Sequence, residues 1–223
     1  MKKIMAFGSL GAPRTIGLVS CMMLGTVYNA QAERDVLLEM TANGLSVLGA
    51  EVVAGYPESD LLAVEGIPEG RLGFQTCATP LELRMDDTVR NRGGIAFWFR
   101  SDRSYQTGEK AEKVKNLLLE LNGLLTISFE NDGKAVSLLA SWDSSVDEAR
   151  RRGIQILMPH FPGNEWHHFA LVWDAEAGLL NAYLDGSPFY WANERISSWT
   201  NPETKVLTLQ AEHFALGEVR VAQ

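Results

Sequence analysis

Residues 165–186 read EWHHFALVWDAEAGLLNAYLDG, two dense apolar runs on either side of a short acidic, glycine-containing gap. Taking Ala175–Gly178 as a four-residue connection sets Asp174 opposite Leu179. The inward pairs are then Trp173–Leu180, Val172–Asn181, Leu171–Ala182, Ala170–Tyr183, Phe169–Leu184 and His168–Asp185. Cross-strand partners share a face of the sheet. One face therefore carries Trp173, Leu180, Leu171, Ala182, Phe169 and Leu184, all apolar, and is expected to join the core. The other carries Val172, Asn181, Ala170, Tyr183, His168 and Asp185. A slip of one residue would mix the two sets, so the pattern itself specifies the register.

The same short runs recur along the chain. They are VLLEM (36–40), RLGFQTCA (71–78), LELRM (81–85), GIAFWFR (94–100), LLTISFE (124–130), AVSLLASW (135–142), IQILM (154–158), KVLTLQA (205–211) and EVRVA (218–222). Gly, Pro, Asn and Asp separate them, as in an all-β sandwich. Asp132-Gly133, between two runs, can supply the positive φ of a tight hairpin. Lys115–Leu121 is ambiguous, since GEKAEKVKNLLLEL (108–121) has high helix propensity. It is read as a strand after a charged loop, with Asn122-Gly123 turning into the next strand. Asp143–Arg152 is the candidate for a short loop helix, with acids early and arginines late.

The N-terminus has a different character. Lys2, Lys3 and Arg14 precede the uncharged Thr15–Val27, and Ala30-Gln31-Ala32 has the small-x-small form of a signal-peptidase site. Residues 1–32 are thus expected to be a signal peptide and 33–223 a single domain that is exported to the periplasm, cell surface or medium. Leu18-Val19-Ser20-Cys21 resembles a lipobox, which would instead anchor the chain through a lipid on Cys21. Cleavage after Ala32 is favoured because MMLGTVY after Cys21 is apolar where a lipoprotein tether is polar. Loss of the leader removes three basic residues and no acid, taking the formal charge from −8 to −11. Such a surface repels nucleic acid and anionic membrane, and no membrane insertion of the mature domain is expected. Only Cys77 of the two cysteines would remain, so the core must hold without a disulfide. Cys77 reads as a small buried hydrophobe.

The hairpin W-H-H-F-A-L-V-W-D…L-N-A-Y-L-D-G resembles that of laminin-G-like domains in the concanavalin A-like lectin/glucanase superfamily. RLGFQTCATPLELR, GGIAFWFRSD and FALGEVRVAQ agree in order, so the resemblance spans about residues 45 to 223. It implies an all-β, two-sheet antiparallel jelly-roll sandwich with one or two short helices in loops. Members mostly bind carbohydrates or proteins, some with a calcium ion at the rim, for which Asp185 or Asp174 would be the ligands here. No D-x-D-x-D loop supports calcium. Distant branches hydrolyse or cleave polysaccharides.

Those hydrolases would place acids on one strand as E-x-D-x-x-E, projecting from alternate positions. The nearest match, Glu130-Asn131-Asp132-Gly133-Lys134-Ala135, has Ala135 at the third acid and a turn at Asp132-Gly133. No catalytic residues are therefore assigned. A His168–Asp185 pair could orient an imidazole, but a hydrogen bond that orders the sheet end is the simpler reading. The expected ligand surface is Asn181, Tyr183, Asp185 and His168 on one sheet face, polar groups around an aromatic ring. Trp191 and Trp199, in the loop-rich SPFYWANERISSWTNPE (187–203), could stack on a glycan or a partner protein. Trp98, Trp166 and Trp173 read as core or sheet-packing residues.

Overall fold

The computed structural model describes residues 36–41, 46–48, 50–54, 61–67, 71–76, 79–85, 91–121, 125–142, 152–174, 176–189, 206–210 and 213–222. They belong to one compact unit, Asp35–Gln223. The strands are β1 (Val36–Thr41), β2 (Ser46–Leu48), β3 (Ala50–Ala54), β4 (Leu61–Ile67), β5 (Arg71–Thr76) and β6 (Leu81–Met85). Next come β7 (Arg92–Ser101), β8 (Tyr105–Gln106), β9 (Val114–Leu121), β10 (Leu125–Asn131), β11 (Val136–Trp142) and β12 (Arg152–Met158). The last six are β13 (His160–Phe161), β14 (His167–Asp174), β15 (Leu179–Leu184), β16 (Ser187–Phe189), β17 (Val206–Leu209) and β18 (Phe214–Ala222). No helix occurs among the described residues.

One two-stranded sheet and two large antiparallel sheets are formed among the described residues. One runs β16-β15-β14-β7-β18-β1-β2, with β5 also on β18 and β4 on β5; the other runs β12-β11-β10-β9-β17-β6-β3. The inner faces supply one core. Phe97, Phe169, Leu171, Trp173, Leu216 and Val221 come from the first sheet, and Leu83, Leu119, Ile127, Phe129, Leu138, Ile156 and Leu207 from the second. This is the two-sheet jelly-roll sandwich. The β14–β15 pairs are those expected, from Phe169–Leu184 to Asp174–Leu179. Phe169, Leu171, Trp173, Leu180, Ala182 and Leu184 are all buried.

The leucine run on β9 does not alternate because the strand bulges. Leu117 pairs with Ser128 and Leu119 with Ile127, leaving Leu118 as the extra residue. Both Leu118 and Leu119 are fully buried. Pairing with β10 on one side and β17 on the other overrides the helix propensity of this segment. β18 is bulged too, at Glu218, whose φ is +47°. The bulge lets its first half pair with β5 through Leu216–Phe74 and its second half with β1.

One end of the core is closed by β8 paired with β13. Tyr105 lies 4.8 Å from Phe129, and Phe161 lies 5.1 Å from Phe129 and 5.6 Å from Phe99, between ring centroids. Trp173 is buried, and Trp166 lies over Gly73 and Gly66 beneath the Arg100 guanidinium. Both are the packing residues expected. The stretch after Gly186 departs from the loop reading, because Ser187–Phe189 forms β16. Asp185 and Gly186, at φ +51° and +75°, make a two-residue turn of the kind whose twist matches paired strands. Of the possible helix at Asp143–Arg152 only Arg152 is described, as the first residue of β12; the rest of it, the turn at 122–123 and Cys77 lie outside the described residues.

Candidate functional site

Two outward sheet faces carry polar groups. On the nine-stranded sheet, Tyr183 pairs with Ala170, Ala170 with Ala96 and Ala96 with Arg220. One step along, Asn181 pairs with Val172; on the other side His168 pairs with Trp98. The His168 and Trp98 rings are 5.0 Å apart. Asn181, Tyr183 and His168 therefore share one face, as expected, and their side chains are half-buried. Trp98 joins them, although the sequence marked it as packing only. Its place follows from alternation along β7, where Ile95, Phe97 and Phe99 point inward.

Asp185 behaves differently from the expected His168–Asp185 side-chain pair. Its Oδ1 accepts the backbone N–H of His168 at 2.8 Å, and its own N–H donates to the His168 carbonyl. The imidazole that meets its Oδ2 is His167, through Nδ1 at 2.8 Å. The left-handed backbone at Asp185 turns the carboxylate back toward the start of β14. The His167 ring sits on the inner side, 4.8 Å from Phe161 and 5.9 Å from Phe99. Its Nε2 is buried without a hydrogen-bond partner. Asp185 thus ties the β15–β16 turn to β14.

Asp174 is similarly engaged. It accepts from Arg92 at 2.6 and 2.9 Å and from the Ala177 N–H at 2.9 Å. The Ala177 N–H, then the Arg92 guanidinium, hold its carboxyl below the ordinary range. Among the described residues no group of three or more His, Cys, Asp or Glu side chains could hold a metal. Asp174 is taken up by Arg92 on β7 and by the Ala177 N–H, and Asp185 by His167 and His168 on β14. Trp191 and Trp199 lie outside the described residues.

The outer face of the seven-stranded sheet bears a groove of about 370 Å³ lined by Lys115, Thr126, Ser128, Glu130, Leu139, Ser141, Gly153 and Gln155. Its residues fall into rows across the strands. Thr126–Ser141–Gly153 forms one, Ser128–Leu139–Gln155 the next and Lys115–Glu130–Ser137–Leu157 the third. Lys115 Nζ is 2.9 Å from Glu130 Oε1, the Ser128 hydroxyl donates to Glu130 at 3.4 Å, and Gln155 Nε2 donates to Ser137 Oγ at 3.2 Å. Gly153 keeps the floor low, since a Cβ there would lie 2.9 Å from the Ala140 carbonyl. Hydroxyl, amide, ammonium and carboxylate groups thus converge on a shallow surface with Leu139 as its apolar patch.

The groove was legible in part. LTISFEN on β10 alternates Thr126, Ser128 and Glu130 against Ile127 and Phe129, and VSLLASW on β11 behaves alike. Glu130 entered the sequence reading only as part of a failed catalytic motif. Asp132 is a turn residue as expected: it accepts the Lys134 and Ala135 N–H groups at 2.7 and 2.8 Å, with Gly133 at φ +85°.

No family model and no curated protein matches the chain. Solved structures match it in shape. The botulinum neurotoxin serotype D binding domain aligns with a TM-score of 0.57 at 9% identity over 86% of this chain and 48% of that one. The binding domain of Paraclostridial Mosquitocidal Protein 1 aligns at 0.59 and 12% identity, over 86% and 49%. The chain spans about half the length of these two structures. The Emp46p carbohydrate recognition domain aligns less closely, at 0.44 and 14% identity over 73% and 86%. At such identities the likeness concerns the fold alone.

Proposed function

We propose that this chain is an exported, non-catalytic binding domain that holds a carbohydrate in the groove of its seven-stranded sheet. The observation that carries the reading is the groove's lining. Thr126, Ser128 and Ser141 offer hydroxyls, Gln155 an amide, and the Lys115–Glu130 pair a charged donor beside a charged acceptor. Adjacent sugar hydroxyls each need one donor and one acceptor, which such a pair presents side by side. Glycoside hydrolysis needs two carboxyl groups about 5–10 Å apart. Glu130 is the only carboxylate among the lining residues and is paired with Lys115, while Glu120 and Glu82, the next carboxylates along this face, stand outside the groove on β9 and β6. The hairpin motif supports placing the domain in the laminin-G-like branch of the concanavalin A-like sandwiches, and residues 1–32 serve as its leader.

A second surface is favoured by exposed Val172 (47%) and Leu179 (54%) next to Asn181 and Tyr183. With Trp98 and His168 this face suits a protein ligand; Asp185 borders it, and Trp191 and Trp199 follow in the chain. Screening the protein on a glycan array, then titrating the hits calorimetrically, tests which of the two surfaces holds a glycan. Gln155→Ala and Lys115→Ala should each weaken glycan binding about tenfold, from the loss of one hydrogen bond to a charged or amide group. Tyr183→Ala should leave it unchanged. Binding that follows Tyr183 and ignores Gln155 would move the glycan site to the other sheet.

A further inference from the structure

The groove does not end with its lining residues. Thr126 pairs with Glu120 on β9, Glu120 with Thr208 on β17, and Thr208 with Glu82 on β6. The row Glu82–Thr208–Glu120–Thr126–Ser141 therefore crosses five strands on one face. Neighbouring strands lie about 4.8 Å apart, so the two glutamates flank Thr208 at roughly 10 Å from each other and Glu120 adjoins the groove at about 5 Å. Both side chains are half-buried, and among the described residues neither is held in an ion pair.

Among the described residues the other charges on this face are Lys115, Glu130, Arg84 and Glu51. Lys115 is held by Glu130. Arg84 is exposed, pairs in register with exposed Glu51 and lies one row beyond Glu82. Among the described residues of this face, Glu51, Glu82, Glu120 and Glu130 thus stand against Lys115 and Arg84, on a chain whose formal charge is already −8. A ligand long enough to leave the groove toward β17 must pass both Glu120 and Glu82.

We propose that Glu120 and Glu82 act as a charge filter on this site, admitting uncharged oligosaccharide chains and turning away chains that carry carboxylate or sulfate groups. The inference rests on the groove being the saccharide site. It adds that the ligand lies across the strands, and that its charge class is decided outside the groove by residues that make no hydrogen bond within it. Each glutamate at about 7 Å from a ligand carboxylate would lower affinity roughly threefold in water, and the pair about tenfold. The effect must fade as salt screens it, since the screening length falls from about 30 Å at 0.01 M to about 3 Å at 1 M.

The test uses β-1,4-linked hexasaccharides of gluco, manno and galacto configuration, each beside its C6-oxidised uronate counterpart, titrated into the full chain. Neutral chains should bind about tenfold more tightly than their uronates at 0.01 M salt and within about twofold at 0.5 M. Glu82→Gln with Glu120→Gln should raise uronate affinity about five- to tenfold at low salt and leave neutral binding unchanged. If neutral chains bind, and lose affinity in Gln155→Ala, but discrimination survives the double substitution, the filter is refuted and the groove stands. If uronates bind the native protein as well as neutral chains do, the filter is likewise refuted. If no hexasaccharide binds, or binding ignores Gln155, the groove reading falls and the filter with it.

Discussion

Replacing Asp185 by alanine separates a ligand residue from a residue that holds the fold. The substitution removes the 2.8 Å hydrogen bond from the His168 N–H and the 2.8 Å contact with His167 Nδ1. A hydrogen bond to a charged acceptor contributes about 1.5–3 kcal/mol, and the lower end applies because the Asp185 side chain is 48% exposed. His167, already without a partner at Nε2, would lose its partner at Nδ1 inside an aromatic pocket. Alanine at a φ of +51° adds about 1 kcal/mol of backbone strain that aspartate tolerates better. The loss should total about 2–4 kcal/mol, which for a domain of this size lowers Tm by roughly 5–12 °C. Asp185→Asn keeps an acceptor for His168 and the left-handed preference, so it should cost under about 1 kcal/mol. Thermal melting and urea titration monitored by tryptophan fluorescence, with glycan titration alongside, read stability and binding. A variant that loses ligand binding while keeping its Tm would refute the clamp and restore Asp185 to the ligand surface.

Two further outcomes follow from the geometry. Phe161→Ala removes the ring that bridges Phe99, Phe129 and His167, and should cost about 3–5 kcal/mol in the same urea assay; a cost below 1 kcal/mol would mean that the β8–β13 closure does not seal the core. Asp174 titrates below its ordinary range in the folded chain, so its stabilising contribution is present above the unfolded pKa of about 4 and is lost as pH falls through the lower folded value. Native protein and Asp174→Asn should therefore differ by a constant Tm offset from pH 7 to 5 that shrinks below pH 4, and an offset unchanged down to pH 2 would contradict the assignment.

The β14–β15 hairpin shows how far a local pattern reaches. Its register was recoverable residue by residue because a period of two, a buried face and a short connection leave one arrangement that keeps polar groups out of the core. The Leu117–Leu119 run was harder, since three leucines fit a helix face as well as a strand. Only pairing on both sides of β9, with a bulge, buries Leu118 and Leu119 together. The short β16 was missed because its turn, Asp185-Gly186, was read as the end of a motif rather than as a hairpin.

The candidate surfaces divide along the same line. Alternation in the chain alone set Asn181, Tyr183 and His168 on one face and kept Phe169, Leu171 and Leu184 off it, because neighbouring residues on a strand point to opposite sides whatever the fold. It could not say that Asp185 would reach His167, since that depends on a left-handed turn folding the carboxylate back across the strand end. Nor could it gather Lys115, Ser128, Ser141 and Gln155 into a groove, or align Glu82 with Glu120. Those residues meet through strand order, above all through β17 entering between β9 and β6, and strand order is a long-range outcome of how two sheets bury their apolar faces against each other.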